Sequence, residues 1–185
     1  MVAVLFKAKI ANNGARITEN FDEAVEELYN TRGFGEETDE KTLFLSPEES
    51  LFLLETGKIT LTEEGKDDCN FDGAMHEFRK SFKDISQRYA AFKDLRNRGF
   101  TVKSGLKYGT HFRVYERGVR PRKGERTPGE HAKYLVHAIS EGETLPVVEI
   151  SRFVRLSHSV KKKLWIAVVD SDGDVTYYQT MRVTP

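Results

Sequence analysis

The apolar stripe that begins at Phe71 changes phase near Asp84. Phe71, Ala74, Met75, Phe78 and Phe82 recur on one helical face, and Ile85, Tyr89, Phe92 and Leu95 resume the pattern on another. A helix offers one stripe to one core, so a phase shift inside the helical stretch of residues 71–98 implies two cores. Two small domains are therefore expected, residues 1–84 and residues 85–185. The 185 residues suffice for two such domains.

The two halves also differ in charge. Residues 1–85 carry 10 Lys/Arg against 19 Asp/Glu, and residues 86–185 carry 19 against 10, so halves of −9 and +9 cancel to a net charge of zero. A basic half of this kind suggests a nucleic-acid surface. A hydrophobic content of 38% with 31% charged residues is that of a soluble globular chain. No apolar run is long enough to span a bilayer, and the first residues lack a signal-peptide cleavage pattern. The single cysteine, Cys69, excludes an internal disulfide framework and a cysteine-built zinc site, and it fits a cytoplasmic protein.

Local patterns predict an α/β (α+β) fold. In the first half, Val2–Ile10 alternates as a strand. Asn20 and Glu23 have capping-box spacing ahead of a helix carrying Phe21, Ala24, Val25, Leu28 and Tyr29. Thr42–Leu45 is a short strand, Ser46-Pro47-Glu48-Glu49 is a strong helix start, Gly57 ends that helix, and Ile59–Thr62 alternates again. In the second half, strands are predicted at 100–103, 112–115, 134–139, 164–169 and 175–183, with a helix at 146–157. Residues 117–130 form a basic loop rich in Gly and Pro. The turn Asp170-Ser171-Asp172-Gly173-Asp174 looks like a calcium loop, but the twelfth position is Met181 rather than glutamate, so calcium is rejected. No histidine pair has metal-ligand spacing on a helix, and neither metal nor cofactor is expected.

Several separate segments resemble one family. KYGTHFRVYERG (107–118), EHAKYLV (130–136) and FVRLSHSVKKKLWIAVVDSDGDVTYYQ (153–179) resemble, in order and spacing, the archaeal tRNA-splicing endonucleases. RYAAFKDLRNRGFTVKSGLKYG (88–109) extends the likeness over residues 86–185, and LSPEESLFLLETGKITL (45–61) resembles the family's amino-terminal domain. The resemblance implies a carboxy-terminal mixed β-sheet flanked by helices, restriction-endonuclease-like in type. It implies precursor tRNA as substrate, recognised as a bulge–helix–bulge shape, and a homotetramer built as a dimer of dimers. The loop between Tyr115 and His131 is longer and more basic than is usual in the family.

Residue by residue, the resemblance carries three catalytic positions. Tyr115 ends the F-R-V-Y motif, His131 opens H-x-x-Y-L-V, and Lys162 follows H-S-V-K. Metal-free RNA cleavage uses the neighbouring 2′-hydroxyl as nucleophile, which suits His131 as general acid and Lys162 as the charge stabiliser. Tyr115 would act as base or orient the hydroxyl, tyrosine having a reference pKa of about 10. The products implied are a 2′,3′-cyclic phosphate and a 5′-hydroxyl. Arg155 matches an arginine that clamps a flipped bulge base; its partner is Arg182, unless Thr180 occupies that place. Asp170, Asp172 and Asp174 would form an acidic loop reaching a basic pocket on another subunit. Taken alone, each residue has a plainer role in packing, solvation or turn formation. The competing functions are a non-catalytic RNA-binding or assembly subunit, a metal-dependent nuclease and a general RNA-binding module.

Overall fold

The computed structural model describes residues 5–11, 13–38, 40–63, 68–121 and 128–183. Val2–Val4 of the predicted first strand and residues 122–127 of the basic loop lie outside them. The chain forms two compact units, Met1–Tyr89 and Ala90–Pro185. It is a mixed α/β protein, with two sheets and five α-helices among the described residues.

The first unit is built on a six-stranded sheet of order β3-β4-β2-β1-β5-β6. Its strands are β1 (Phe6–Ala11), β2 (Gly14–Ile17), β3 (Glu36–Thr38), β4 (Thr42–Leu45), β5 (Ile59–Thr62) and β6 (Asp68–Cys69), and only β1 and β5 pair in parallel. Strands β3 and β6 are too short for the sequence pattern to reveal, and β2 carries a single β-branched residue, Ile17. Gly14 allows β2 to cross β4 closely, since a Cβ there would stand 2.0 Å from the Leu45 carbonyl oxygen.

Helix α1 (Phe21–Ala24) differs from expectation. Asn20 adopts a left-handed conformation (φ 50°) and its side chain caps nothing, so no capping box forms there. The chain then continues as a π-helix over Val25–Thr31, wider than the 3.6-residue spacing predicted. Helix α2 (Pro47–Glu55) does begin with a capping box. The Glu49 N–H donates to the Ser46 hydroxyl at 3.3 Å, and the Ser46 N–H donates to the Glu49 carboxylate at 3.0 Å. The predicted helical stretch 71–98 is two helices, α3 (Phe71–Ser81) and α4 (Ile85–Asn97). The break falls at Phe82–Asp84, where the apolar stripe changes phase, because no straight helix keeps both stripes buried.

The second unit is a five-stranded mixed sheet of order β11-β10-β9-β8-β7. The strands are β7 (Thr101–Ser104), β8 (Phe112–Tyr115), β9 (Tyr134–Ser140), β10 (Lys163–Val169) and β11 (Val175–Thr180). Helix α5 (Val147–Ser159) carries the chain from β9 to the parallel β10, a connection that a tight turn cannot make. Leu135, Ile139, Leu164 and Ile166 bury one sheet face against Phe153 and Val154 of α5. On the other face Phe92 of α4 meets Phe112, ring centroids 5.9 Å apart. The Tyr177 hydroxyl donates to the Asp94 carboxylate at 2.9 Å, also on α4. Helices therefore flank the sheet on both faces. Strand β11 ends at Thr180 rather than Val183, so Arg182 lies beyond the strand.

Candidate active site at one end of the second sheet

Three chain segments meet where β8 ends and β9 and β10 begin. The antiparallel register sets Val114 beside Tyr134, and the parallel register sets Tyr134 beside Lys163. Backbone bonds extend both pairings outward: Lys133 N–H to the Val114 carbonyl at 2.9 Å, and Lys163 N–H to the Lys133 carbonyl at 3.0 Å. Tyr115 and Lys162 thus stand two strand spacings apart, about 10 Å between backbones, with residues 131–133 between them. The Lys162 ammonium donates to the Ala132 carbonyl at 2.7 Å, tying it to the residue after His131.

Side-chain alternation fixes the face. Arg113, Leu135 and Leu164 share the face that α5 covers. Tyr115 and Lys162, each two residues away along the chain, fall on that same face. The Tyr115 ring is 1% exposed, Lys162 is half-buried and His131 is exposed.

The turn into β10 is unusual. Lys161 has φ 54° although it is not glycine, and it closes α5 where glycine is normally favoured. The Lys162 N–H then returns to the Ser157 carbonyl at 2.8 Å. A left-handed lysine costs on the order of 1 kcal/mol; the run Lys161-Lys162-Lys163 keeps three cations at this corner in exchange.

A shallow surface groove continues from Lys162 along α5. Ser157, His158, Lys162, Thr180 and Arg182 line its near part. Arg155, Ser151, Thr180 and Arg182 line the next. Arg155 and Arg182, both exposed, therefore share one depression, and so does Thr180, the alternative partner. His158 faces the groove from the last turn of α5. Beside the Tyr115 end, Lys133 pairs with Glu116; that hydrogen bond first, and the carboxylate charge with it, holds the Lys133 pKa above its ordinary value.

The acidic turn at the far end of β10 is internally braced. The Asp170 carboxylate accepts from the Asp172 N–H at 3.0 Å and the Asp174 N–H at 2.9 Å. The carboxylates of Asp172 and Asp174 are exposed. Among the described residues, no group of three or more His, Cys, Asp or Glu side chains is arranged to hold a metal ion, and no helix is long and apolar enough to cross a membrane.

The sequence motifs did not single out Arg117, Lys133, Tyr134 or Trp165, which also border this sheet end. The signal available was alternation of cations with aromatic residues, and it is spread over three strands.

Comparison with known proteins agrees with this organisation. Residues 85–177 match the model of the tRNA intron endonuclease catalytic C-terminal domain, and residues 13–75 match that of the tRNA intron endonuclease N-terminal domain. The tRNA-splicing endonuclease of Thermococcus gammatolerans is 41% identical over 167 residues, covering 90% of this chain and 93% of that protein. The tRNA-splicing endonuclease of Pyrococcus horikoshii is 37% identical, covering 90% and 91%. That of Methanococcus maripaludis is 41% identical over 149 residues, covering 80% of each.

Proposed function

Because this chain belongs to the tRNA intron endonuclease family, we propose that it cuts precursor tRNA at intron boundaries with Tyr115, His131 and Lys162, in the cytoplasm. One observation carries the reading: β8, β9 and β10 bring residues from three distant segments to one sheet end, and the Lys162 ammonium is bonded to the residue following His131.

The chemistry follows from what each group can do. The 2′-oxygen next to the scissile phosphate attacks phosphorus, and the bond to the 5′-oxygen breaks. Tyr115, buried in the isolated chain, is assigned to orient the 2′-hydroxyl or to accept its proton once RNA is bound. His131 is exposed, and an imidazole can give a proton to the departing 5′-oxygen near neutral pH. Lys162 has three N–H donors, of which the Ala132 carbonyl takes one. The others meet the charge that gathers on the phosphorane. The ends produced are a 2′,3′-cyclic phosphate and a 5′-hydroxyl, and no metal ion takes part.

A bulge–helix–bulge substrate suits the groove along α5. Unpaired bases are what proteins read most readily in RNA, and Arg155 and Arg182 on one depression can hold a flipped base between guanidinium planes. The working assembly is a homotetramer. Edge strand β11 and the segment after it expose Tyr178, Met181 and Val183, an edge suited to pairing with a second copy about a two-fold axis. Asp172 and Asp174 then reach a basic pocket of the opposite dimer. The domain division near residue 84 belongs to the same reading.

Incubating the purified chain with bulge–helix–bulge RNA in chelator, and analysing the ends, tests the proposal. Cyclic phosphate at the expected junctions is the outcome expected. Loss of cleavage in chelator would remove the metal-free mechanism, and unchanged activity of His131→Ala would remove the acid.

A further inference from the structure

The face of the second sheet turned away from α5 carries an aromatic layer at the same end as Lys162. Tyr134 and Trp165 alternate with Leu135, Leu164 and Ile166, so they project to the other side. Their rings stack with centroids 3.8 Å apart and planes 25° from parallel. Phe100 meets both rings edge-on, at 6.3 Å and 6.1 Å. The Arg117 guanidinium lies over Phe100, 5.2 Å from its centroid.

Aromatic packing alone is ordinary; the distribution of charge around it is not. Arg117 and Lys163 are exposed beside these three half-buried rings, Lys163 standing in register with Tyr134. Some exposed arginines are held by a carboxylate, as Arg32 is by Glu27, Arg98 by Asp94 and Arg152 by Glu149. Among the described residues Arg117 takes no carboxylate and rests on a ring instead. It also stands two residues beyond Tyr115, at the mouth of the proposed active site.

A guanidinium backed by an aromatic ring presents an ordered plane with free N–H groups at its edge. Such a plane stacks on a nucleobase while its N–H groups hold a phosphate. A base inside a duplex has no free face, so the occupant must be unpaired. We infer that Arg117, backed by Phe100 and the Tyr134–Trp165 pair, is a positioning residue that stacks an unpaired nucleobase of the RNA beside the cut. This site is on the sheet face opposite the Arg155–Arg182 groove, so the RNA strand wraps the sheet end. The inference rests on the RNA-cleavage reading.

Trp165 is the only tryptophan in the chain, so its fluorescence reports on this layer. The probe is bulge–helix–bulge RNA with 2′-deoxy sugars at the cut sites, which binds without being cleaved. Anisotropy of an end label gives occupancy independently. Binding should quench or shift Trp165 emission with the same midpoint as the anisotropy. Arg117→Ala should raise Kd about tenfold, within the range for loss of one stacked base, and leave the single-turnover rate at saturating RNA within about threefold. Arg117→Lys keeps the charge without the plane and should recover less than half of the lost affinity on a logarithmic scale. A purely structural Arg117 would lower the melting temperature without moving Kd, which overturns the inference. RNA bound by anisotropy with unchanged Trp165 emission also overturns it, while leaving the cleavage reading intact. A parent chain that neither binds nor cuts the RNA removes both.

Discussion

Replacing Lys162 with methionine removes the ammonium and keeps most of the stem's volume. In the folded chain that ammonium makes one hydrogen bond, 2.7 Å to the Ala132 carbonyl, from a half-buried position. Losing it should cost roughly 1 kcal/mol of stability, toward the low end for a charged donor because solvent screens the site. For a chain of this size such a loss lowers the melting temperature by about 2–4 °C. The catalytic loss should be larger. A preorganised donor aimed at developing negative charge is typically worth about 100- to 1,000-fold in rate, or roughly 3–4 kcal/mol. The two effects separate in one experiment: single-turnover cleavage of bulged precursor by excess enzyme in chelator, with a thermal melt of the same preparation. Lys162→Met should cleave about 100- to 1,000-fold more slowly and bind RNA within a few-fold of the parent. A rate within threefold of the parent, with a lowered melting temperature, would make Lys162 a strut for residues 131–133 and refute its role at phosphorus.

Arg155→Ala and Arg182→Ala should each weaken capture of bulged RNA by about 1–3 kcal/mol; because both line one depression, the double variant should lose less than the sum, read by filter binding. Asp172→Asn combined with Asp174→Asn should split tetramers into dimers in sedimentation and lower cleavage. Asp170→Asn alone should not, since an asparagine oxygen still accepts the two N–H groups that brace the turn. Burial foremost, then the hydrogen bonds to Glu55 and Asp94, raises the pKa of Tyr89 and Tyr177 in the folded state. Their contribution is complete below the unfolded tyrosine pKa of about 10 and is lost as pH rises beyond it, by at most about 1.4 kcal/mol per pH unit for each. Urea midpoints should fall between pH 9.5 and 11, and replacing both tyrosines with phenylalanine should flatten that fall.

Much of the architecture was legible locally. The capping box at Ser46 and Glu49 and the short strands Thr42–Leu45, Ile59–Thr62 and Phe112–Tyr115 follow from patterns within a few residues, whereas residues 71–98 read as helical throughout and only the phase shift near Asp84 marked where the structure divides them. Asn20 misled for a physical reason: its residue type and the glutamate three positions on satisfy the capping rule, but the tight connection from β2 holds Asn20 at positive φ, where its side chain cannot reach the helix. The π-helical turns after it were hidden because Phe21, Ala24, Val25, Leu28 and Tyr29 are spaced for a 3.6-residue helix and give no sign of the wider turn.

The chain by itself determined which chemistry is available: a tyrosine at a strand end, a histidine before a strand, a lysine after a helix, and a basic second half around them. It also determined the local elements, because caps, apolar periodicity and turn residues act over short distances. Only the tertiary structure decided that Lys162 meets the Ala132 carbonyl, thirty residues earlier in the chain, and that Tyr115 shares its sheet face. It also decided that Arg117, Tyr134 and Trp165 gather on the opposite face. Those neighbours follow from strand order and from the parallel register of β9 and β10, which the crossover through α5 makes possible. Register between distant strands is a property of side chains packing in one shared core, and no short stretch of sequence contains it.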